Sequence, residues 1–559
     1  GESLDNEDKT IYMINDYGQL QPINKDLSGL DDEEPTETQT ELEAVIDHIE
    51  DITERLNIPD IKRPWLPPLP EIVYQSELIE TDFNKLWTDQ PKEVELTLGL
   101  KDVPEDQYQG PMTLKLKQAG HIALIGSPGY GRTNFLHNVI FDVARHYRPD
   151  QAHMYLFDFG TNGLMPVSDV PHVADYFTVD QEDKIAKAIK QIHQIIAERK
   201  KLLSQERVIN IDQYNKETGK TVPNVFIIID NYDTVKESPF VEDYEEMMAK
   251  VTREGLALGV YIILTGSRSS AVKSSIFTNI KTRIALYLFE NNELTNIIGS
   301  YKKGVKDIKG RAAINDDNFT QFQIAQPFEV KEGQTYNSCI KDEIAQMNEH
   351  YVGEYPAHIP MMPEKVLREE LEAKYDFEKI ILEDHKLPVG LDFEDVELVS
   401  LDVTKPSIIT AVKPNEHEYL SRIIMNQLEV YSKNNMVILV DVDENMNSYS
   451  ESVSSYHSSP SELNMIRTGF KQEIASRKEG KRSCKERKIV FINNIKRFNQ
   501  ITGMNEDEVR MLFNEGPKYN VIVIASGLYS DTIGAFDRES KMLTRTVNQS
   551  IIGHKISEQ

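Results

Sequence analysis

The run GSPGYGRT, Gly126–Thr133, constrains this chain more than any other stretch. It lies between an apolar segment, His121–Ile125, and a segment of helical spacing, Asn134–His146. Glycines placed as in G-x-x-x-x-G-K-[ST] describe a strand, a loop whose backbone amides surround phosphate, and a helix whose N-terminus faces the anion. Arg132 stands where the lysine that reaches the outer phosphates is expected. Its guanidinium is permanently charged and pairs well with phosphate oxygens, but it is broader and stiffer than an ammonium. Tyr130 adds bulk where a small residue often sits. The expected phosphate environment is Gly126, Ser127, Pro128, Gly129, Tyr130, Gly131, Arg132, Thr133 and Asn134.

Two more elements follow in the order such a site needs. VFIIIDNYD carries an apolar run too continuous for a half-exposed strand, so it suits a buried central one. It ends in Asp230, placed to hold magnesium through water. The next position, where hydrolytic enzymes use a glutamate to polarise water, is Asn231, which cannot accept a proton. Asp233 is the available substitute, so the catalytic candidates are Asp230, Asn231 and Asp233. VYIILTGSR, Val260–Arg268, is a third core strand. Thr265 and Ser267 at its tip serve either to position water or as an ordinary strand exit.

From Glu93 to about Pro327, strands alternate with helices. Strands are expected at Glu93–Gly99, Met112–Lys115, His121–Ile125, Ala152–Asp158, Asn224–Asp230, Val260–Thr265 and Thr282–Leu288, and helices at Asn134–His146, Asp180–Leu203 and Tyr244–Leu258. This alternation predicts an α/β fold with mostly parallel sheets flanked by helices. The second half repeats the plan: strand Ser407–Val412, helix Glu416–Tyr431, strand Met436–Val442, a long excursion, strand Lys488–Asn493, helix Glu506–Phe513 and strand Asn520–Ala525. Ahead of both lie a short strand candidate, Thr10–Ile14, an acidic linker, Asp31–Glu41, a helix over Thr40–Leu56 and the proline-rich PDIKRPWLPPLP. The expected division is 1–80 as tail and connector, 81–345 as the first domain and 346–559 as the second.

Composition narrows the functions. A formal net charge of -29 opposes binding to a phosphate backbone, whose affinity comes from Lys/Arg displacing counterions. Lys478–Lys488, the most basic run, reads as a solvated loop. The 2 cysteines, Cys339 and Cys484, build neither a disulfide framework nor a zinc cluster. His137, His172 and His193 lack metal spacing and read as structural or exposed. The stripe Ile185, Ile189, Ile192, Ile195, Ile196 and Leu203 reads as a core-facing helix side. The DFEDVE run ending at Glu397 reads as a solvated face or a lure for a basic partner, and Ser448–Glu462 as a mobile loop. No apolar run approaches the ~20 residues that cross a bilayer. The chain is expected to be soluble, with GESLDNED an abrupt opening cut from a longer parent.

The runs VELTLGLKDVPEDQ, GHIALIGSPGYGRTNFL, PNVFIIIDNYD, REGLALGVYIILTGSR and IKTRIALYLFENNELTNIIG, in that order, resemble FtsK/SpoIIIE-type ATPase domains. Within them the likeness is to the tandem C-terminal domains of the membrane coupling ATPase of type VIIb secretion. That resemblance implies two tandem RecA-like P-loop NTPase domains on the cytoplasmic face of a membrane. It also implies hexamers, and recognition of small helical-hairpin substrates of the WXG class rather than DNA. ATP and magnesium are the implied cofactors at 126–133, with Thr133 and Asp230 as the magnesium side, and Arg253 and Arg283 lie where a neighbouring subunit's arginine is supplied. The altered Arg132 and Asn231 imply nucleotide bound weakly or not at all and weak or absent hydrolysis; an active motor, a DNA translocase and a purely structural scaffold are the rival readings. In the second half the loop position reads KPNEHEYL, with no glycine, and KIVFINNI ends in Asn493 and Asn494 without a carboxylate, so no nucleotide is expected there.

Overall fold

Buried β-branched runs form the strands of this chain, and amphipathic segments between them form the helices. The computed structural model describes residues 11–22, 40–58, 65–90 and 92–553. The expected linker over Asp31–Glu41 and the first part of the proline-rich stretch lie largely outside the described residues. In the first half the strands are β1 Glu95–Val103, β2 Tyr108–Lys115, β3 Ile122–Ile125, β4 Ala152–Asp158, β5 Val173–Thr178, β6 Asn224–Asp230, β7 Val260–Gly266, β8 Thr282–Ala285, β9 Arg311–Ile314 and β10 Gln321–Ile324. The main helices there are α1 Arg132–His146, α2 Glu182–Glu206 and α3 Val241–Glu254.

The residues form two compact units by contact. The first holds 1–146, 265–269 and 280–339; the second holds 147–264, 270–279 and 340–559. In the first unit the strand order is β2-β1-β10-β9-β8-β3. Only β3 and β8 pair in parallel; the others pair antiparallel. The expectation of mostly parallel sheets holds for most of the other strands of the chain, and this group of strands is its main antiparallel part. Hairpin-length turns join β1 to β2 and β9 to β10, and such turns permit only antiparallel neighbours.

In the second unit, the first-half strands run β7-β6-β4-β5, all parallel. The strand β5 was not foreseen. Helix α2 buries Ile185, Ile189, Ile192, Ile196 and Leu203, the stripe read from the sequence, and leaves Ile195 half-buried.

The second half adds β11 Lys386–Leu391, β12 Leu398–Asp402, β13 Ser407–Ala411, β14 Met436–Val440, β15 Ser455–His457, β16 Lys488–Ile492, β17 Val521–Leu528 and β18 Gln549–Gly553, with helices α4 Pro414–Tyr431 and α5 Pro460–Lys478. Its parallel sheet runs β15-β14-β16-β17-β13-β18. The sequence β15-β14-β16-β17 repeats β5-β4-β6-β7, and the parallel pair β13/β18 repeats β3/β8. The duplicated plan is therefore present in strand order as well as in chain order. Ser448–Glu462 is not a mobile loop: it holds β15 and the start of α5, where Ser459 and Glu462 form a capping box. The acidic run around Phe393 is docked on α2, with Glu394 3.2 Å from Lys190 and Lys187 donating to the carbonyls of Pro360 and Phe393.

Helix Glu41–Arg55 forms as expected, with Thr40 and Glu43 closing a capping box, and buries none of its residues. Among the described residues, no helix is long and apolar enough to cross a membrane.

Candidate nucleotide site

Strand β3 is fully buried, so its exit fixes where the next loop starts. The Gly126 amide donates to the Gly266 carbonyl at 3.1 Å and the Ser127 amide to the Tyr287 carbonyl at 3.0 Å. A Cβ on Gly126 would lie 2.7 Å from that of Leu286, so only glycine fits there. The turn itself needs φ +87 at Gly129 and φ +102 at Gly131, which residues with a side chain rarely adopt. Among the described residues, the amides of Gly129, Tyr130 and Gly131 donate to no recorded acceptor. Helix α1 begins at Arg132, two residues earlier than expected, which brings Arg132 and Thr133 into its first turn. Both are half-buried, as is Asn134, while Pro128 is exposed. This is a loop of unspent donors at a helix N-terminus, the arrangement that favours an anion.

Tyr130 is held against one wall. Its hydroxyl donates to Asp307 at 2.6 Å, and its carbonyl accepts from the Gly310 amide at 3.0 Å. The Asp307 hydrogen bond, with burial and charge adding, pushes that hydroxyl up to about 12. Ser127 is buried and its Oγ accepts from the Phe289 amide at 2.9 Å. Thr265 is buried at the end of β7, and Ser267 is half-buried. Arg283 donates through Nε to the Ile280 carbonyl at 3.2 Å, whereas Arg253, on α3, is exposed.

In the second unit, Asp230 ends β6 and is buried. Asp158, at the end of β4, is its register partner. The sequence reading passed over Asp158. It accepts from the Leu164 amide at 2.9 Å, the Tyr176 hydroxyl at 2.8 Å and the Gly160 amide at 3.3 Å. A Cβ on Gly160 would sit 3.7 Å from an oxygen of each aspartate, so both carboxylates converge on this glycine. Burial, then the Asp158 hydrogen bond, raises the Tyr176 hydroxyl above its ordinary range.

Asn231 takes a left-handed conformation, φ 60, and its amide donates to the Phe159 carbonyl and to Thr234 Oγ1, each at 3.2 Å. It therefore serves as a turn-builder. Asp233 is half-buried in the following helical turn. Cys339 and Cys484 are unpaired, and no group of three metal-ligating side chains occurs among the described residues.

The second half closes both features. Lys413 is extended ahead of α4, with no left-handed turn. His417 Nε2 bonds Ser526 Oγ at the end of β17, and Ser421 Oγ lies 2.6 Å from the same oxygen. All three side chains are buried, and burial lowers the His417 pKa. At the neighbouring strand ends Asp441 accepts from Met446 N at 2.8 Å, Tyr456 Oη at 2.5 Å and Asn493 Nδ2 at 2.6 Å. The recurrence was readable as MYLFD and VILVD, each a strand ending in aspartate with a tyrosine on the next strand.

A phosphate loop after a buried strand, with an aspartate at a parallel strand tip, defines an α/β P-loop ATPase fold of RecA type. Residues 84–313 match the FtsK/SpoIIIE family, and they belong to it. Over all 559 residues the chain is 78% identical to type VII secretion system protein EssC of Staphylococcus aureus (strain MRSA252), covering 100% of this chain and 38% of that protein. The chain thus spans 38% of the length of this curated relative. The solved structure of EssC (ATPases 2 and 3) from Geobacillus thermodenitrificans is 26% identical with a TM-score of 0.73, covering 88% of this chain and 93% of that one. EccC (ATPases 2 and 3) from Thermomonospora curvata, solved in complex with a signal sequence peptide, shares the fold with a TM-score of 0.55 at 18% identity, covering 87% and 92%.

Proposed function

We propose that this chain is the nucleotide-responsive, substrate-recognising part of a type VII secretion coupling ATPase, with one nucleotide site retained and one lost. In this reading it works on the cytoplasmic face of the membrane, assembles as hexamers within the longer protein and recognises small helical WXG-type proteins for export. The observation that carries the retained site is the left-handed turn at Gly129 and Gly131, whose amides remain unspent beside a helix N-terminus. Those donors fit the outer phosphates of ATP or ADP, with Arg132 contributing charge. The Thr133 hydroxyl and the Asp230 carboxylate are the groups of this chain that suit magnesium. Bound magnesium would neutralise phosphate charge; the residues bind and orient.

Fast hydrolysis is not part of the proposal. Asn231 spends its amide on the Phe159 and Thr234 oxygens and has no basic group to offer water. The signal sequence peptide described for Thermomonospora curvata EccC supports reading this chain as a receptor for exported protein. Calorimetric titration of the full chain with magnesium ATP tests the site. Saturable heat that weakens at least tenfold in Arg132→Ala is expected, and no heat in the unaltered chain would overturn the nucleotide half of the proposal.

A further inference from the structure

We infer that Tyr130, Tyr287 and Phe289 form a stacking shelf for the base of the nucleotide whose phosphates the Gly126–Thr133 loop holds; the inference rests on that reading of the loop. The three rings touch one another. Tyr130 and Tyr287 lie 4.9 Å apart at 41°, Tyr130 and Phe289 5.9 Å at 78°, and Tyr287 and Phe289 6.0 Å at 79°. These are tilted and edge-to-face arrangements, and the exposed Phe289 ring offers a face to a further planar partner.

The shelf is fastened to the phosphate loop by the backbone. Ser127 donates to the Tyr287 carbonyl and its side chain accepts from the Phe289 amide, so the loop and the shelf move as one piece. Asp307 fixes the third ring through the Tyr130 hydroxyl. Alternation after β8 explains the exposure: Leu286 and Leu288 turn into the core, while Phe289 is 68% exposed. An aromatic ring left in water loses the burial that normally places it. Here it lies beside donors suited to phosphate, and an anion linked to a flat π-system satisfies both features together. Every base has a π-face, so the shelf supplies affinity for nucleotides as a class, purines most because their stacked area is largest.

The test compares a nucleotide with its phosphates alone. ADP and inorganic pyrophosphate, each with magnesium, are titrated into the full chain, into Phe289→Ala and into Phe289→Trp. Phe289 is on the surface, so these variants fold. ADP is expected to bind the unaltered chain more tightly than pyrophosphate. Phe289→Ala is expected to weaken ADP about tenfold, the scale of one lost base–aromatic contact, with pyrophosphate unchanged and Phe289→Trp restoring ADP. Equal affinities of ADP and pyrophosphate in the unaltered chain, or equal weakening of both by Phe289→Ala, would overturn the shelf and leave the loop reading intact. Binding of neither ligand would overturn both.

Discussion

At matching strand tips, the two halves of this chain resolve the same electrostatic problem in opposite ways. In each, an aspartate ends one parallel strand and is held by a loop amide and by a tyrosine hydroxyl from the next strand: Asp158 with Leu164 and Tyr176, Asp441 with Met446 and Tyr456. The neighbouring strand then ends in Asp230 in the first half and is followed directly by Asn493 in the second. Asn493 donates to Asp441, so the second site completes its own hydrogen bonds. Two carboxylates cannot bond each other without a proton or cation between them. In the first half the matching position is a carboxylate, which cannot donate to Asp158 as Asn493 donates to Asp441. The loops repeat the contrast, unspent amides at Gly129–Gly131 against the buried His417–Ser526–Ser421 cluster. In the proposed reading, the second half gives up a nucleotide by internal satisfaction of these groups, with the strand order of the fold kept.

The sharpest way to break this comparison is Asn493→Asp. It removes the 2.6 Å donor to Asp441 and sets a second carboxylate in a fully buried position. A loss of about 3 kcal/mol in urea unfolding is expected near neutral pH, easing on acidification as one carboxyl takes a proton. A loss no larger than that of an ordinary surface substitution would show that the amide is not what seals the site.

Next in size are Tyr176→Phe and Tyr456→Phe. Each deletes one donor to a buried carboxylate, expected to cost about 1.5–2 kcal/mol. Tyr176→Phe should cost more, because Asp158 lacks the asparagine donor that Asp441 retains. Equal costs would remove the distinction between the halves.

Asp230→Asn sharpens the same point with a smaller effect. The new amide can donate to Asp158 as Asn493 does to Asp441, so ligand-free stability should rise by about 1 kcal/mol. The gain in melting temperature from adding magnesium to bound ATP should disappear. A variant that is less stable than the parent and still responds to magnesium would contradict the comparison.

How much of this was legible beforehand depends on where each interaction lies along the chain. The strand–loop–helix at Gly126–Thr133 and the Asp230 tip are local patterns, in which glycine spacing and a buried apolar run constrain the backbone directly. In the second half β13, β14, β16 and β17 followed from the same alternation, whereas β11, β12, β15, β18 and helix α5 were not expected. Three things did not follow. The antiparallel pairs β1/β2 and β9/β10 depend on turns that ordinary residues make. Ser448–Glu462 looked loop-like because serines abound, yet Ser459 is a helix cap whose partner Glu462 lies three residues on. The role of Asp158 rests on Tyr176 and on the register with β6, contacts that only folding supplies. Asn231 was read as a residue that cannot accept a proton, and its place as a left-handed turn residue needed the backbone to be seen.

The smallest expected effect is the response of the sealed loop to acid. Burial lowers the His417 pKa, against an opposing pull from Asp443, Glu418 and Asp531. A histidine whose folded pKa is depressed binds fewer protons folded than unfolded between its two pKa values, so stability rises with pH across that window. Its contribution is fully present above the unfolded value of about 6.5 and is lost as pH falls from there toward the folded value. Both serine hydroxyls face the same ring nitrogen, Nε2, so protonation obliges that nitrogen to donate into a cluster that already shares its hydrogens. His417→Gln keeps a donor for Ser526 without a titrating group. Unfolding midpoints measured from pH 7 downward should therefore decline less steeply in His417→Gln than in the parent. The difference between the two isolates this residue from other histidines such as the half-buried His153 and the buried His172, both pushed down to about 4 chiefly by desolvation. Identical slopes would mean that the seal holds through packing alone and that its hydrogen bonds carry none of the distinction between the two loops.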